Sequence, residues 1–289
     1  MVVLIRYGEL SLKGQLRKKF ENTLVSNIRS VMRVEGFEGR VEREWGRLYV
    51  IMSELQREEK EAEEVEKKLA KRLSFVFGVV STSPAFVCRA DMEEIAKRAE
   101  ELFGERVKDR TFAVRARRSG EHPFTSVDVA KRVGEKLRRA GGIVDLKEPE
   151  FEVYVEVRGD RAYLFSDIFR GFGGLPVGTQ GRVLAMDSLS AWFAMRRGCD
   201  VDCVERCEEL LAWACYRKVN FVSFDFEKAI KSDYPAVFCS YAMEELKEVL
   251  ETLKEREMPV MFPLISEEVY SREEIKKILK SISNYISQG

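Results

Sequence analysis

Apolar positions recur with two periods along the first ninety residues. VVLIRY (2–7) is a short run of strand formers, and after Gly14 the residues Leu16, Phe20, Leu24, Ile28 and Val31 fall on one helical stripe. FEGRVER and RLYVIM then read as two strands joined by a turn around Trp45 and Gly46. A helix mixing acidic and basic residues follows from about Glu58 to Leu73, and FGVVSTSPAFVC closes the set as a strand. The order βαββαβ predicts a ferredoxin-like domain, placed over residues 1–75.

From Asp91 the pattern starts again. Asp91 stands where a helix cap is wanted, ahead of Met92, Ile95, Ala96, Ala99 and Leu102 at helical spacing. TFAVRAR (111–117) alternates, so Phe112, Val114 and Ala116 are expected to face inward, with Arg115 and Arg117 about 7 Å apart on the other face. Thr125 or Ser126 caps the next helix, with Ala130, Val133 and Leu137 inside. FEVYVEV (151–157) and RAYLF (161–165) predict a hairpin. This second module, residues 76–172, runs into the glycine-rich GFGGLPVG, where Gly173, Gly174, Leu175, Pro176 and Gly178 mark the expected domain boundary.

Beyond it, apolar runs at 182–186, 219–224, 235–239 and 259–265 alternate with helical stripes, the last two being Leu246, Val249, Leu250, Leu253 and Ile275, Ile278, Leu279, Ile282. Short, continuously apolar strands suit a parallel sheet covered on both faces. Residues 173–289 therefore predict a small three-layer α/β domain, and the whole chain is α/β with an α+β first half.

Composition narrows the class. With 45% apolar and 34% charged residues, the chain is globular rather than disordered. No apolar run is long enough to cross a bilayer, and MVVLIRYGE is too short an apolar block for a signal peptide, so a cytoplasmic location is expected. Six scattered cysteines fit reduced thiols better than a disulfide framework. The formal net charge of zero hides a separation: Arg106–Arg139 holds eleven Lys or Arg against four Asp or Glu, whereas Cys199–Gly289 holds twelve against eighteen. The basic block attracts polyanions whatever the overall balance.

RYGELSLKG (6–14), RKKFE (17–21), RARRSGEHPFTS (115–126), VDL (144–146) and GGLPVGTQG (173–181) carry a resemblance to the tRNA 4-thiouridine synthetases, sulfurtransferases also tied to thiazole and thiamine biosynthesis. The similarity covers roughly residues 1–182. It implies a ferredoxin-like domain followed by a THUMP domain, an RNA-binding module that in this family holds the acceptor end of tRNA. Lys13 and Arg17, then Arg115, Arg117, Arg118, His122, Phe124, Thr125 and Ser126, are the RNA-binding candidates. The residues agree: cations precede a loop that leads to a helix N-terminus with unpaired amides, and Phe124 is either a stacking face for a base or a core anchor. His122, the single histidine, has no second histidine to form a metal or relay pair.

The third domain departs from the family. There the strand after GGLPVG leads into a PP-loop, Ser-Gly-Gly-x-Asp-Ser, whose backbone wraps the pyrophosphate of ATP; here GRVLA and SAWFAMRRGC keep the flanks, and Asp187 and Ser188 alone remain of the loop. A Rossmann-like, PP-loop-type domain shortened at this point lacks the ring of N–H donors that a phosphate nest requires. Asp187 is expected to cap the helix instead. In PAVFCSYAM (235–243), Ala236 replaces the first cysteine of the family's Cys-x-x-Cys, leaving Cys239 as either a sulfur carrier or a buried core thiol. Cys199, Cys203 and Cys207, if on one helix, are too spread for one ion and read as core cysteines with no metal expected, the alternative being a site that uses loop geometry near Gly198.

These observations predict a tRNA-binding protein of the thiolation pathway without its own ATP-dependent adenylation, working with a separate catalytic thiolation enzyme or sulfur donor. Two alternatives stand beside it: an active 4-thiouridine synthetase using ATP and Mg at an atypical site with Cys239, and an assembly platform in which the acidic last domain pairs chains into a homodimer. No membrane partner is expected.

Overall fold

The computed structural model describes residues 1–8, 16–44, 46–53, 59–241, 245–246, 259–264 and 270–287. Its first elements, β1 (Val2–Tyr7), α1 (Arg17–Val34), β2 (Gly39–Glu44), β3 (Arg47–Met52), α2 (Glu59–Ser74) and β4 (Val79–Arg89), follow the βαββαβ order. Then come α3 (Met92–Val107), β5 (Thr111–Ser119), α4 (Ser126–Arg139), β6 (Ile143–Val144), β7 (Phe151–Arg158), β8 (Arg161–Phe165) and β9 (Phe169–Arg170). The chain divides into two compact units, one of Met1–Leu4, Tyr49–Ala70 and Ser83–Phe169, the other of Ile5–Leu48, Lys71–Thr82 and Arg170–Gly289.

In the first unit the strands run in the order β3-β1-β4-β8-β7-β5-β6. β5 pairs parallel with β7, and β7 pairs antiparallel with β8 in the predicted hairpin. One face of this sheet carries α3 and α4 on a core of Ile95, Ala99, Phe103, Phe112, Val133, Leu137, Val153, Val155 and Leu164. On α4 the inner stripe is Val129, Val133 and Leu137, with Ala130 half-buried beside it. A second apolar cluster holds Leu4, Tyr49, Ala85, Tyr163 and Phe165, with Tyr49 stacked on Tyr163 at 4.9 Å.

The second unit contains a five-stranded parallel sheet in the order β12-β11-β10-β13-β14. Its strands are β10 (Arg182–Ala185), β11 (Asp200–Cys203), β12 (Asn220–Phe221), β13 (Val237–Phe238) and β14 (Val260–Met261), interleaved with α5 (Ser188–Arg196), α6 (Glu208–Trp213), α7 (Phe226–Ile230) and α8 (Arg272–Ser287). The expected strands at 219–224, 235–239 and 259–265 are each two residues long in regular form. β11 corrects the single helix considered for Cys199–Cys207: Cys199 follows α5, Cys203 ends β11 and Cys207 caps α6. Its DVDC sequence gave no apolar run because Asp200 and Asp202 take fixed partners. Asp200 receives a two-pronged bond from Arg217 (2.8 and 2.7 Å), and buried Asp202 accepts from Arg182, Asn220 and Tyr234. Of the stripe at 246–253, Leu246 is buried and Val249, Leu250 and Leu253 lie outside the described residues, as does Trp45.

The glycine-rich connector is a packed segment of this unit. Leu175 and Val177 are buried, the Val177 carbonyl accepts from buried Asn27 Nδ2 at 3.0 Å, and the Leu175 amide donates to the Arg196 carbonyl at 3.0 Å. Gly174 sits at φ 74°, where a Cβ would lie 2.2 Å from the Arg196 carbonyl oxygen, so backbone approach fixes this residue as glycine. Around it, fully buried Trp192 and Trp213 meet Phe75, Phe77 and Phe172 ring to ring. Buried Arg72 crosses the same region, pairing with Glu35 at 2.5 Å and donating to the Ala212 carbonyl and the Cys215 sulfur.

Candidate nucleic-acid interface

The loop between β5 and α4 in the first unit brings together most of the sequence-predicted candidates. Thr125 is the N-cap of α4 and forms a reciprocal box with Asp128: the Asp128 amide donates to Thr125 Oγ1 (3.2 Å), and the Thr125 amide donates to Asp128 Oδ2 (2.8 Å). These bonds from Thr125 hold the Asp128 carboxyl below the usual carboxylate range. Among the described residues the amides of Ser126 and Val127 have no partner, so the first turn of α4 presents two N–H donors and the positive end of its dipole.

Three arginines on β5 precede this turn in the chain and differ in availability. Arg115 is engaged, with Nε on Glu152 Oε1 at 2.8 Å and Nη2 on the Leu146 carbonyl at 3.0 Å. Glu152, which also accepts from the Tyr154 hydroxyl, is held low by both donors, while burial and that carboxylate push Tyr154 up to about 12. Arg117 and Arg118 are exposed; Arg118 donates to the Gly120 carbonyl at 2.8 Å, and Arg117 makes no hydrogen bond or ion pair among the described residues. Arg115 and Arg117 stand two residues apart on β5, as expected of a shared face, but they differ in engagement: register places Arg115 opposite Tyr154 and beside Glu152, which holds its guanidinium.

His122 and Phe124 hold the loop in place. His122 Nε2 lies 2.7 Å from the Gly159 carbonyl in the β7–β8 turn, and its ring lies 5.5 Å from that of Phe124. Its Nδ1 is buried without a partner. Phe124 is half-buried against the α3–α4 core, which leaves part of its ring accessible. Arg17, in the second unit, is tied to Glu21 at 2.7 Å, and Glu21 also accepts from the Tyr7 hydroxyl at 2.6 Å. Lys13 lies outside the described residues.

At the end of β10 the second unit offers the place where a parallel sheet takes ligands, outside the carboxyl ends of strands whose connections diverge. Two residues, Met186 and Asp187, separate β10 from α5. Asp187 caps α5, accepting from the Ser190 amide (2.8 Å) through Oδ1 and from the Ser240 amide beyond β13 (3.1 Å) through Oδ2. The Ser188 amide donates to Glu205 Oε2 at 2.7 Å. Two carboxylates of the chain itself therefore occupy the amides that a phosphate would need, and neither Glu205 nor Ser240 carries a motif by which the sequence shows its part. ATP with Mg does not fit these residues: the glycine cradle is absent and the nearest side chains are anionic.

Burial disfavours the thiolate at each cysteine. Burial pushes the Cys203 and Cys239 thiols up to about 12 and Cys199 up to about 11. A persulfide carrier needs thiolate character and access, and Cys239 has neither: it is fully buried in a cluster with Leu184, Ala229 and Val237. Because the native values lie above the ordinary 9.0 of a free thiol, the stability gained by keeping Cys203 and Cys239 protonated is complete below pH 9 and is lost as pH rises from 9 towards 12. The urea midpoint is expected to fall between pH 8 and pH 10.5, and at pH 8 neither thiol should react with a disulfide reagent until the chain unfolds; rapid labelling of Cys239 in the native protein would contradict its burial. Among the described residues no group of three or more His, Cys, Asp or Glu is arranged to hold a metal ion, and no helix is long and apolar enough to cross a membrane.

Comparison with known proteins agrees with this architecture. Residues 2–83 match the ThiI ferredoxin-like domain and residues 89–167 the THUMP domain. Over 209 residues the chain is 43% identical to the tRNA sulfurtransferase of Pyrobaculum aerophilum, covering 70% of this chain and 40% of that one. It is 44% identical over 209 residues to the probable tRNA sulfurtransferase of Aeropyrum pernix, covering 69% and 51%. The chain spans about half the length of these curated relatives. Among solved structures, PH1313 from Pyrococcus horikoshii superposes with a TM-score of 0.76 at 28% identity, over 98% of this chain and 99% of that one. A 4-thiouridine synthetase solved with RNA and ATP shares the fold, with a TM-score of 0.68 at 22% identity over 98% and 85%. The chain carries a ThiI ferredoxin-like domain and a THUMP domain, and over its matched residues it is similar to the tRNA sulfurtransferases.

Proposed function

We propose that this protein binds tRNA by its acceptor end through the β5–α4 region, serves tRNA thiolation in the cytoplasm, and hands the ATP-dependent step to a separate enzyme. The observation that carries the reading is the pairing of two unlike sites in one chain. In the THUMP unit, exposed Arg117 and Arg118 stand before a helix turn with open amides. In the α/β unit, Asp187 and Glu205 occupy the corresponding donors. Phosphate contacts position an RNA strand, and an accessible aromatic edge such as Phe124 suits an unpaired terminal base.

The test is filter binding of the full chain to whole tRNA, to the same tRNA trimmed of its single-stranded 3′ end, and to duplex RNA of equal length. Tightest binding to the intact acceptor end is expected. Equal affinity for all three would remove the acceptor end from the reading.

A further inference from the structure

A second concave site lies in the other unit, at the C-terminal end of α1, and no part of the tRNA reading uses it. The helix ends at Val34, and Gly36 takes the left-handed conformation at φ 72°. The Phe37 amide returns to the Met32 carbonyl at 2.8 Å and the Gly36 amide to the Arg33 carbonyl at 3.3 Å. This is a Schellman stop, and its geometry sets Phe37 back over Met32. The reversal borders an open, solvent-facing pocket of about 480 Å³, within the range of volumes that small ligands occupy.

The lining has a definite chemistry. Arg29 and Arg33 are four residues apart, so their Cβ atoms stand about 6 Å from each other on one helix face, and both side chains are exposed. Neither makes a hydrogen bond or ion pair among the described residues. Nor are they needed to cap the helix, since the carbonyls of Val31, Met32 and Arg33 already accept from the amides of Glu35, Phe37 and Gly36. The neighbouring carboxylate of Glu35 is spent on Arg72 at 2.5 Å. Two uncompensated guanidiniums, one half-buried aromatic ring and one carboxylate, Glu38, remain around the cavity.

The geometry points to a binding site for a ribonucleoside phosphate: Arg29 and Arg33 grip the phosphate with paired donors, Phe37 stacks on the base, and Glu38 accepts from the ribose hydroxyls. Guanidinium forks match phosphate oxygens, base stacking on an aromatic ring is tolerant of sequence, and an acidic side chain is the usual acceptor for a ribose diol. A free nucleotide and an unpaired nucleotide within an RNA strand present the same groups to this pocket.

Equilibrium dialysis of the full chain with 5′-AMP and its 2′-deoxy analogue, together with filter binding of a short single-stranded RNA, tests the assignment. Binding of AMP identifies free nucleotide as an occupant, and RNA binding that persists in Arg117→Ala with Arg118→Ala but falls in Arg29→Ala with Arg33→Ala identifies a nucleotide in a strand; both support the site. Arg29→Ala with Arg33→Ala should weaken whichever probe binds by about tenfold or more, and Phe37→Leu should weaken it several-fold. Glu38→Gln should abolish the preference for ribose over deoxyribose, and its persistence would remove Glu38 from the site. Arg117→Ala with Arg118→Ala leaves AMP binding intact, so this proposal and the acceptor-end reading fail separately. No binding of either probe at millimolar concentration, or unchanged binding by the Arg29/Arg33 double variant, would overturn it.

Discussion

Replacing Arg117 and Arg118 together with alanine is expected to weaken tRNA binding by about a hundredfold at moderate salt. Each exposed guanidinium that loses a phosphate contact forfeits about 1.4 kcal/mol, or about tenfold in affinity. The slope of log K against log salt should also fall, by about 1.4 for two contacts to a single-stranded end. Arg115→Ala separates contact from support. Arg115 is held by Glu152 and the Leu146 carbonyl, so its loss leaves Glu152 without one of its donors and should lower stability more than it changes the salt slope. Filter binding across a salt series checks both. An unchanged slope in the Arg117/Arg118 variant would place the RNA elsewhere on the chain.

Trp213→Ala is expected to be the most damaging single substitution in the second unit. The indole is fully buried, its ring centroid stands 5.1 Å from those of Phe75 and Phe172 and 5.5 Å from that of Phe77, and its Nε1 donates to the Leu279 carbonyl at 3.3 Å. Truncating a buried Trp to Ala costs about 3–5 kcal/mol through lost transfer energy and the cavity left behind. The melting temperature should drop by roughly 10 °C, and Trp213→Phe should recover part of it. Calorimetry is the measurement. A shift of only a degree or two would mean that the cavity collapses and that the aromatic cluster does not hold the unit together.

Much of this was legible in the residues. Period-2 and period-3.6 patterns located β1, α1, β5, α4 and the β7–β8 hairpin, and Asp91, Thr125 and Asp187 were readable as caps because the chemistry of a helix start is local. What stayed hidden depends on partners far away in sequence. β11 was missed because its polar positions, Asp200 and Asp202, are satisfied by Arg217, Arg182, Asn220 and Tyr234. The difference between Arg115 and Arg117 could not be seen before Glu152 was set beside one of them. The same holds for Glu205 and Ser240, which meet the β10–α5 junction only once the strands are aligned. The sequence has no glycine between Val183 and Met195, and folding shows which groups surround that junction.

The proposed function joins RNA binding by the THUMP unit to a β10–α5 junction in which Asp187 and Glu205 take the helix-start amides. Pyrophosphate release tests it most directly, measured on the full chain with MgATP and tRNA in a sample where tRNA binding is monitored in parallel. The account predicts saturable tRNA binding with no pyrophosphate above the rate without protein. Release that depends on tRNA and disappears in Asp187→Ala would contradict it.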